Sequence, residues 1–372
     1  MWRGVVHEYA EFIPEHIKEA VVTLGEGGIP LIRSSTVQRR LADFGVHAEV
    51  YIKFEGRNPT GSFKDRGMTG AISAEKAKGT KVVICASTGN TSASAAAYAA
   101  AAGMTSAVLV PDGKIATGKL AQAIAHGANL LQVDGNFDDC LIIARQLAKD
   151  FPVVGLVNSV NPNRLQTQKT ASFEVVDEMG DAPWIHAVPV GNAANISAYW
   201  MGYKEYADAE NAANRPQMWG FQAEGAAPMV NGKRVENPKT IATAIQIGNP
   251  ASWDLAVSAA AESGGLFDTV TDEEILGAHR ILSNESGVFV EPASAAPLAG
   301  ILKEAESGKL SAALSELSER RAGTAQIVFT STGHGLKDPN WALYDINLKP
   351  KEGSEPIKVQ NSVDAVAGAL GL

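Results

Sequence analysis

The chain has 372 residues, 45% of them hydrophobic. A single core usually stops growing below that length, so two domains are expected. Lys and Arg number 32 against 41 Asp and Glu, a net charge of −9. That balance argues against general affinity for nucleic acid or an anionic membrane, while leaving room for a local cationic pocket.

The N-terminal "MWRGVVHEYAEF" lacks the long apolar core of a signal peptide. No window approaches 18 uninterrupted apolar residues, so no membrane span is expected. A cytoplasmic enzyme is the expectation. "AEVYIKFE" (48–55) reads as a strand, and "RGMTGAISAEKAKG" as a helix stopping at Gly79. "KVVICAS" is a strand with Cys85 buried in it, and "TSASAAAYAAAAG" a helix of small residues ending at Gly103. The only other cysteine is Cys140 and there is no CxxC, so neither a disulfide scaffold nor a cysteine metal site is expected. "SAVLVP", "TGKLAQAIAHG", "NLLQVDG" and "FDDCLIIARQLAKD" continue as strand, helix, strand, helix. Such alternation implies parallel βαβ units, and buried parallel strands are short and continuously apolar, as these are.

The chain turns polar and Asn-rich in "FPVVGLVNSVNPNRLQTQKT", which places the end of the first βαβ block near residue 155. The alternation resumes with "IHAVPV", the helix-like "ISAYWMGYKEYAD", and the strands "QMWGFQAEG" and "QIVFTST". From about Asn347 a Lys/Pro/Glu-rich surface arm follows, with "SVDAVAGALGL" as a short closing helix. The expected division is a larger domain from 1–49 and 156–345, a smaller αβ domain from 50–155, and an arm from 346–372.

Four polar segments stand where a predicted strand hands over to a helix: "NPTGSFKDRG", "STGNTSAS", "VGNAANIS" and "STGHGLKD". Any one is ordinary turn chemistry. Four on the carboxyl side of parallel strands point to a ligand site. Lys64 lies at a helix start, where the helix dipole disfavours a cation. A solvated lysine is the plain reading; in a desolvated site its pKa would fall and the neutral amine would become a nucleophile suited to Schiff-base chemistry. The segment is no P-loop, because Ser62 follows Gly61 where that motif requires Lys. Gly191–Ser197 offers consecutive backbone N–H groups at a helix N-terminus, which suits a phosphate, with a plain N-cap by Asn192 or Asn195 as the alternative. Ser87–Ser94 offers hydroxyls and an amide for a carboxylate or ring oxygen. Ser331–Asp338 offers hydroxyls for a ring nitrogen, with His334 a general base or a structural residue.

"GSFKDRGM", "STGNTSAS", "GNAAN" and "TGHGLKD", in that order and spacing, resemble threonine synthase, with "LGEGGIPL" (Leu24–Leu31) similar to its N-terminal signature. The resemblance spans about residues 20–345. It implies an α/β chain of pyridoxal 5′-phosphate fold type II. That fold has two three-layer αβα domains with parallel-rich sheets, like the tryptophan synthase β-subunit, and a cofactor in the cleft between them. It also implies that Lys64 binds the cofactor covalently and that Asn90 meets its 3′ oxygen. Gly191, Asn192, Ala193, Ala194 and Asn195 would cradle its phosphate, and Thr332, or else Ser331, would face its ring nitrogen. One departure is visible. The family commonly reads Gly-Asn-Ala-Gly-Asn, and Ala194 replaces the second glycine, so a helical φ is expected there.

The reaction the resemblance implies is O-phospho-L-homoserine plus water giving L-threonine plus phosphate. An anionic substrate calls for cations and hydroxyls, and Lys53, Ser87, Thr88, Asn158, Ser159 and Arg164 are the candidates. Arg164 on a solvated helix is the competing reading. A homodimer follows from the resemblance alone, as does mobility of the smaller domain. Two rival functions are a threonine or serine dehydratase of the same fold type and a catalytically idle binder of phosphate ligands.

Overall fold

Short apolar runs form ten strands in the computed structural model, which describes residues 1–112, 117–351 and 353–372. They are β1 (Leu31–Arg33), β2 (Glu49–Phe54), β3 (Val82–Ala86), β4 (Thr105–Pro111), β5 (Asn129–Val133), β6 (Val154–Leu156), β7 (Ile185–Pro189), β8 (Gln217–Ala223), β9 (Leu266–Val270) and β10 (Gln326–Ser331). The helices that frame them begin with α1 (Ser35–Ala42), α2 (Lys64–Ala77), α3 (Asn90–Ala102), α4 (Thr117–Ala125) and α5 (Phe137–Asp150). There follow α6 (Asn163–Gln168), α7 (Thr170–Met179), α8 (Ala194–Asp208), α9 (Trp253–Ser263), α10 (Asp272–Arg280), α11 (Pro292–Glu306), α12 (Lys309–Ser318) and α13 (Val363–Leu370).

The strands form two sheets. One is six-stranded in the order β1-β2-β10-β7-β8-β9, antiparallel only at β1–β2. The other is four-stranded and wholly parallel, in the order β5-β4-β3-β6. Strand alternation sends Ile327 and Phe329 into one layer with α1, α10, α11 and α12, and Val328 into the opposite layer with α7, α8 and α9. The smaller sheet is covered likewise. Met68, Tyr98 and Leu120 pack on one face, and Cys140 and Ala144 of α5 on the other. Two three-layer αβα units result, as the resemblance implies.

The expected boundaries need correcting at both ends of the smaller unit. β2 lies in the six-stranded sheet, because its parallel partner is β10, from Gln326↔Glu49 to Ser331↔Phe54. β6 belongs to the four-stranded sheet and runs to Leu156, so a cut at residue 155 divides a strand. The terminal arm carries the expected helix α13, N-capped by Ser362 and buried nowhere.

Lys53 on β2 is the clearest casualty among the predicted substrate residues. Its ammonium is fully buried and donates to Glu174 at 2.7 Å and to the Ile29 carbonyl. Glu174 also accepts two bonds from Arg66, at 2.6 and 2.7 Å, and Arg66 in turn holds Glu55 at 2.6 and 2.9 Å. Burial pushes the Glu174 carboxyl up, but the Arg66 and Lys53 charges outweigh burial and hold it well below the usual range. The network ties β2, α2 and α7 together directly behind the first turn of α2. Its two carboxylates balance its two cations, so neutralising either carboxylate leaves a buried cation uncompensated. Glu174→Gln is expected to cost about 3–5 kcal/mol in urea unfolding. A loss under about 1 kcal/mol would mean that water reaches the network.

Candidate active site

The loop that delivers Lys64 is stitched on both sides. The Asp65 carboxylate accepts from the Thr60 N–H and hydroxyl, both at 2.7 Å, and from the Ser94 hydroxyl at 2.6 Å. Phe63 N–H donates to Thr332 O at 2.9 Å, and His334 N–H to Gly61 O at 2.9 Å. The first and fourth motifs therefore share a backbone seam. Lys64 opens α2 half-buried, its Nζ 4.3 Å from the Phe63 ring centre. Burial, with the nearby Arg164 charge second and Glu291 opposing, lowers its pKa to about 7. A large fraction of neutral, nucleophilic amine is then present near neutral pH.

The other motifs converge on the same place. Ser87 Oγ accepts from Gly89 N–H at 3.2 Å and Ser92 N–H at 3.3 Å, shaping the entry to α3. Asn90, first in α3, donates from Nδ2 to Glu291 Oε1 at 2.8 Å. Thr332 Oγ1 lies 2.9 Å from Ser294 Oγ. Ser331 Oγ is already committed to the Ser294 carbonyl at 3.1 Å, so Thr332 is the hydroxyl on the cavity wall. His334 Nδ1 accepts from Leu336 N–H at 3.1 Å, and its ring packs between Phe54 and Phe289. That favours its structural reading.

In the third motif α8 begins at Ala194, whose φ is not positive, as expected for the departure from glycine. The left-handed residue is Ala193, at φ 65° and ψ −6°, a conformation costing an alanine about 1–2 kcal/mol. A left-handed residue directly before a helix turns successive N–H groups toward one point. The first amides of α8 have no preceding turn to bond. A Cβ on Gly191 would stand 2.9 Å from Ile245 Cα, so only glycine admits that wall. Asn192 Oδ1 accepts from Ala251 N–H at 2.7 Å and braces the loop. Asn195 Oδ1 accepts from Gln168 at 2.9 Å, while its buried Nδ2 has no partner.

These segments enclose a cavity of about 230 Å³, lined by Lys64, Ser87–Thr91, Gly191–Asn195 and Thr332 together with Asn158, Ser159, Thr243, Glu291 and Lys337. Asn158 spends its amide on Ala86, accepting from N–H at 3.0 Å and donating to the carbonyl at 2.9 Å. It clamps β3 at the cavity floor. Arg164 is 2% exposed, which excludes the solvated reading. It donates to the Val157 carbonyl at 3.2 Å and reaches the Ser159 hydroxyl at 3.5 Å. Its Nε is buried without a partner, and among the described residues no carboxylate pairs with it. Burial lowers its pKa to about 10. Sequence reasoning gave no role to Glu291, Ser294 or Lys337. Lys337 lay inside a quoted motif, and Glu291 stands at another handover, between "VFV" and the helix opened by Pro292.

The residues present suit pyridoxal phosphate. A glycine-walled cradle of helix-start amides with an orphaned Asn195 side-chain amide answers a phosphate, a lysine of lowered pKa answers an aldehyde, and a hydroxyl answers a ring nitrogen. A match to the pyridoxal-phosphate-dependent enzyme family covers residues 22–318. The threonine synthase of Mycobacterium leprae is 54% identical over 372 residues, covering 100% of this chain and 97% of that one. The chain belongs to the threonine synthase family of pyridoxal-phosphate-dependent enzymes. The threonine synthase of Halalkalibacterium halodurans is 51% identical, covering 94% of both chains. Among solved structures, threonine deaminase isoform 2 of Solanum lycopersicum superposes with a TM-score of 0.68 at 20% identity, over 89% of this chain and 85% of that one, a likeness of fold. The chain is thus a pyridoxal-phosphate-dependent lyase. No described helix is long and apolar enough to cross a membrane.

Proposed function

We propose that this chain converts O-phospho-L-homoserine and water to L-threonine and phosphate, the last step of threonine biosynthesis. The observation that carries the substrate assignment is Arg164: a buried guanidinium near Lys64 that reaches Ser159 on the cavity wall and has no carboxylate partner among the described residues. Leaving such a charge unpaired is costly, and an anionic ligand group offsets that cost.

Bound pyridoxal phosphate supplies the electron sink. The protein supplies the rest. The amides of 191–195 hold the cofactor phosphate, Thr332 faces the ring nitrogen, and Asn90 donates to the ring oxygen. Lys64 anchors the cofactor. With a pKa near 7 its amine is suited to moving protons at Cα and Cβ of the substrate, while phosphate leaves Cγ and water adds at Cβ. Arg164 and Ser159 face the substrate phosphate. Ser87 and Thr88, at the α3 entry, are placed for the substrate carboxylate. Lys337 bonds the Thr60 carbonyl at 3.1 Å and Gln122 of α4, linking the fourth motif to the smaller layer. That contact would break and re-form if the smaller layer moves in closure. A cytoplasmic homodimer accompanies this reading.

The test supplies purified protein and cofactor with phosphohomoserine or with threonine in parallel. Inorganic phosphate and threonine from the first, with negligible keto acid from the second, is the expected result. Keto acid from threonine without phosphate release would make the chain a dehydratase.

A further inference from the structure

Glu291 has no role in the function derived so far, yet it stands inside the site. It is 5% exposed, lines the cavity, and lies immediately before Pro292, which opens α11. Its backbone N–H donates to Gly333 O at 3.1 Å, fixing it to the fourth motif. Its Oε1 accepts from Asn90 Nδ2 at 2.8 Å. A Cβ on Gly333 would lie 2.3 Å from Glu291 Oε1 and 3.4 Å from Asn90 Nδ2, so glycine there leaves room for the pair.

We propose that Glu291 is a positioning residue for Asn90, fixing which end of its amide faces the cofactor's ring oxygen. This rests on the assignment of Asn90 to that oxygen. An asparagine amide has two donors on one end and an acceptor on the other. An ionised carboxylate only accepts, so the flipped amide would set oxygen against oxygen. Glu291 therefore selects the rotamer with Nδ2 inward. One N–H goes to the carboxylate, and the second remains for the ring oxygen. The same carboxylate opposes the lowering of the Lys64 pKa by burial and Arg164. The selection links three elements: α3, α11 and the turn after β10.

The experiment is a double-mutant cycle read by cofactor affinity and by the visible absorbance of the cofactor-loaded protein. Asn90→Ala is expected to weaken pyridoxal phosphate binding by about tenfold, the scale of one hydrogen bond to a charged group. Glu291→Met, which cannot accept, should weaken it by nearly as much and move the visible maximum in the same direction. The double variant should be no weaker than Asn90→Ala. Glu291→Gln, which keeps an acceptor, should lose only about threefold. Wild-type affinity and spectrum in Glu291→Met overturn the proposal, as do losses that multiply in the double variant. If Glu291→Met does not fold, the cycle runs on Glu291→Gln, expected to lose about threefold and not to multiply with Asn90→Ala. Full multiplication there overturns the proposal equally. An Asn90→Ala variant with unchanged affinity and spectrum overturns the assignment of Asn90, and the proposal with it.

Discussion

Lys64→Ala is expected to remove the visible absorbance of the cofactor-loaded protein and to lower turnover by about 10²–10⁴ through the lost proton transfers alone. The lysine looked misplaced at a helix start, where the dipole disfavours its charge. The structure adds burial and a neighbouring Arg164, and all three act in the same direction on the ammonium. With the pKa lowered from 10.5 to about 7, the free amine is mostly protonated below pH 7 and mostly neutral above it. The rate at which cofactor-free protein takes up pyridoxal phosphate should therefore climb through pH 7 and level off above it. A surface lysine would still be climbing at pH 9. The variant should keep part of its affinity for the cofactor, because the amides of 191–195 and Thr332 do not depend on residue 64. A retained visible band in Lys64→Ala, or an uptake rate flat from pH 6 to pH 9, would remove Lys64 from the chemistry.

What the sequence disclosed and what it hid divide along a physical line. The four motifs were legible because each is local: glycine, asparagine and hydroxyl residues packed into a turn between an apolar strand and a helix. Lys64 was legible for the same reason, as an electrostatic oddity at a named helix position. Lys53 was misread because its fate depends on Glu174, far along the chain, and an alternating strand says nothing of a partner arriving from α7. Glu291 was passed over because the run before it makes only an isolated bridge, Val290↔His334, and reads as no strand. Its role appears only when α3 and α11 are brought together. β1 and β6, three residues each, are too short for any period to show, and β9 carries Asp268 and is only partly buried along most of its length. The boundary near residue 50 failed for a topological reason. β2 is followed by the whole smaller unit, yet pairs with the last strand of the chain.

Arg164→Ala separates substrate recognition from cofactor recognition. Among the described residues the guanidinium bonds only a backbone carbonyl and, at 3.5 Å, a serine hydroxyl. Its removal breaks no ion pair among the described residues, and folding stability should change little. Cofactor affinity and visible spectrum should also change little, since none of 191–195, Asn90 or Thr332 bonds it. Turnover of phosphohomoserine is another matter. Truncating one partner of a buried charge pair costs about 2–5 kcal/mol, so kcat/KM should fall by roughly 30- to 4,000-fold. Arg164→Lys should recover only part of the loss, because an ammonium lacks the two-pronged fit to a phosphate. A second consequence follows from the sign of the Lys64 shift. Arg164 helps to lower that pKa, so its loss lets the pKa rise, and cofactor uptake by the variant should need a higher pH than in the parent. Loss of substrate turnover with an upward move of that pH midpoint is the pair of results expected. Equal losses of cofactor and substrate binding, or a midpoint that moves down, would place the guanidinium in the scaffold and leave the substrate phosphate to other groups.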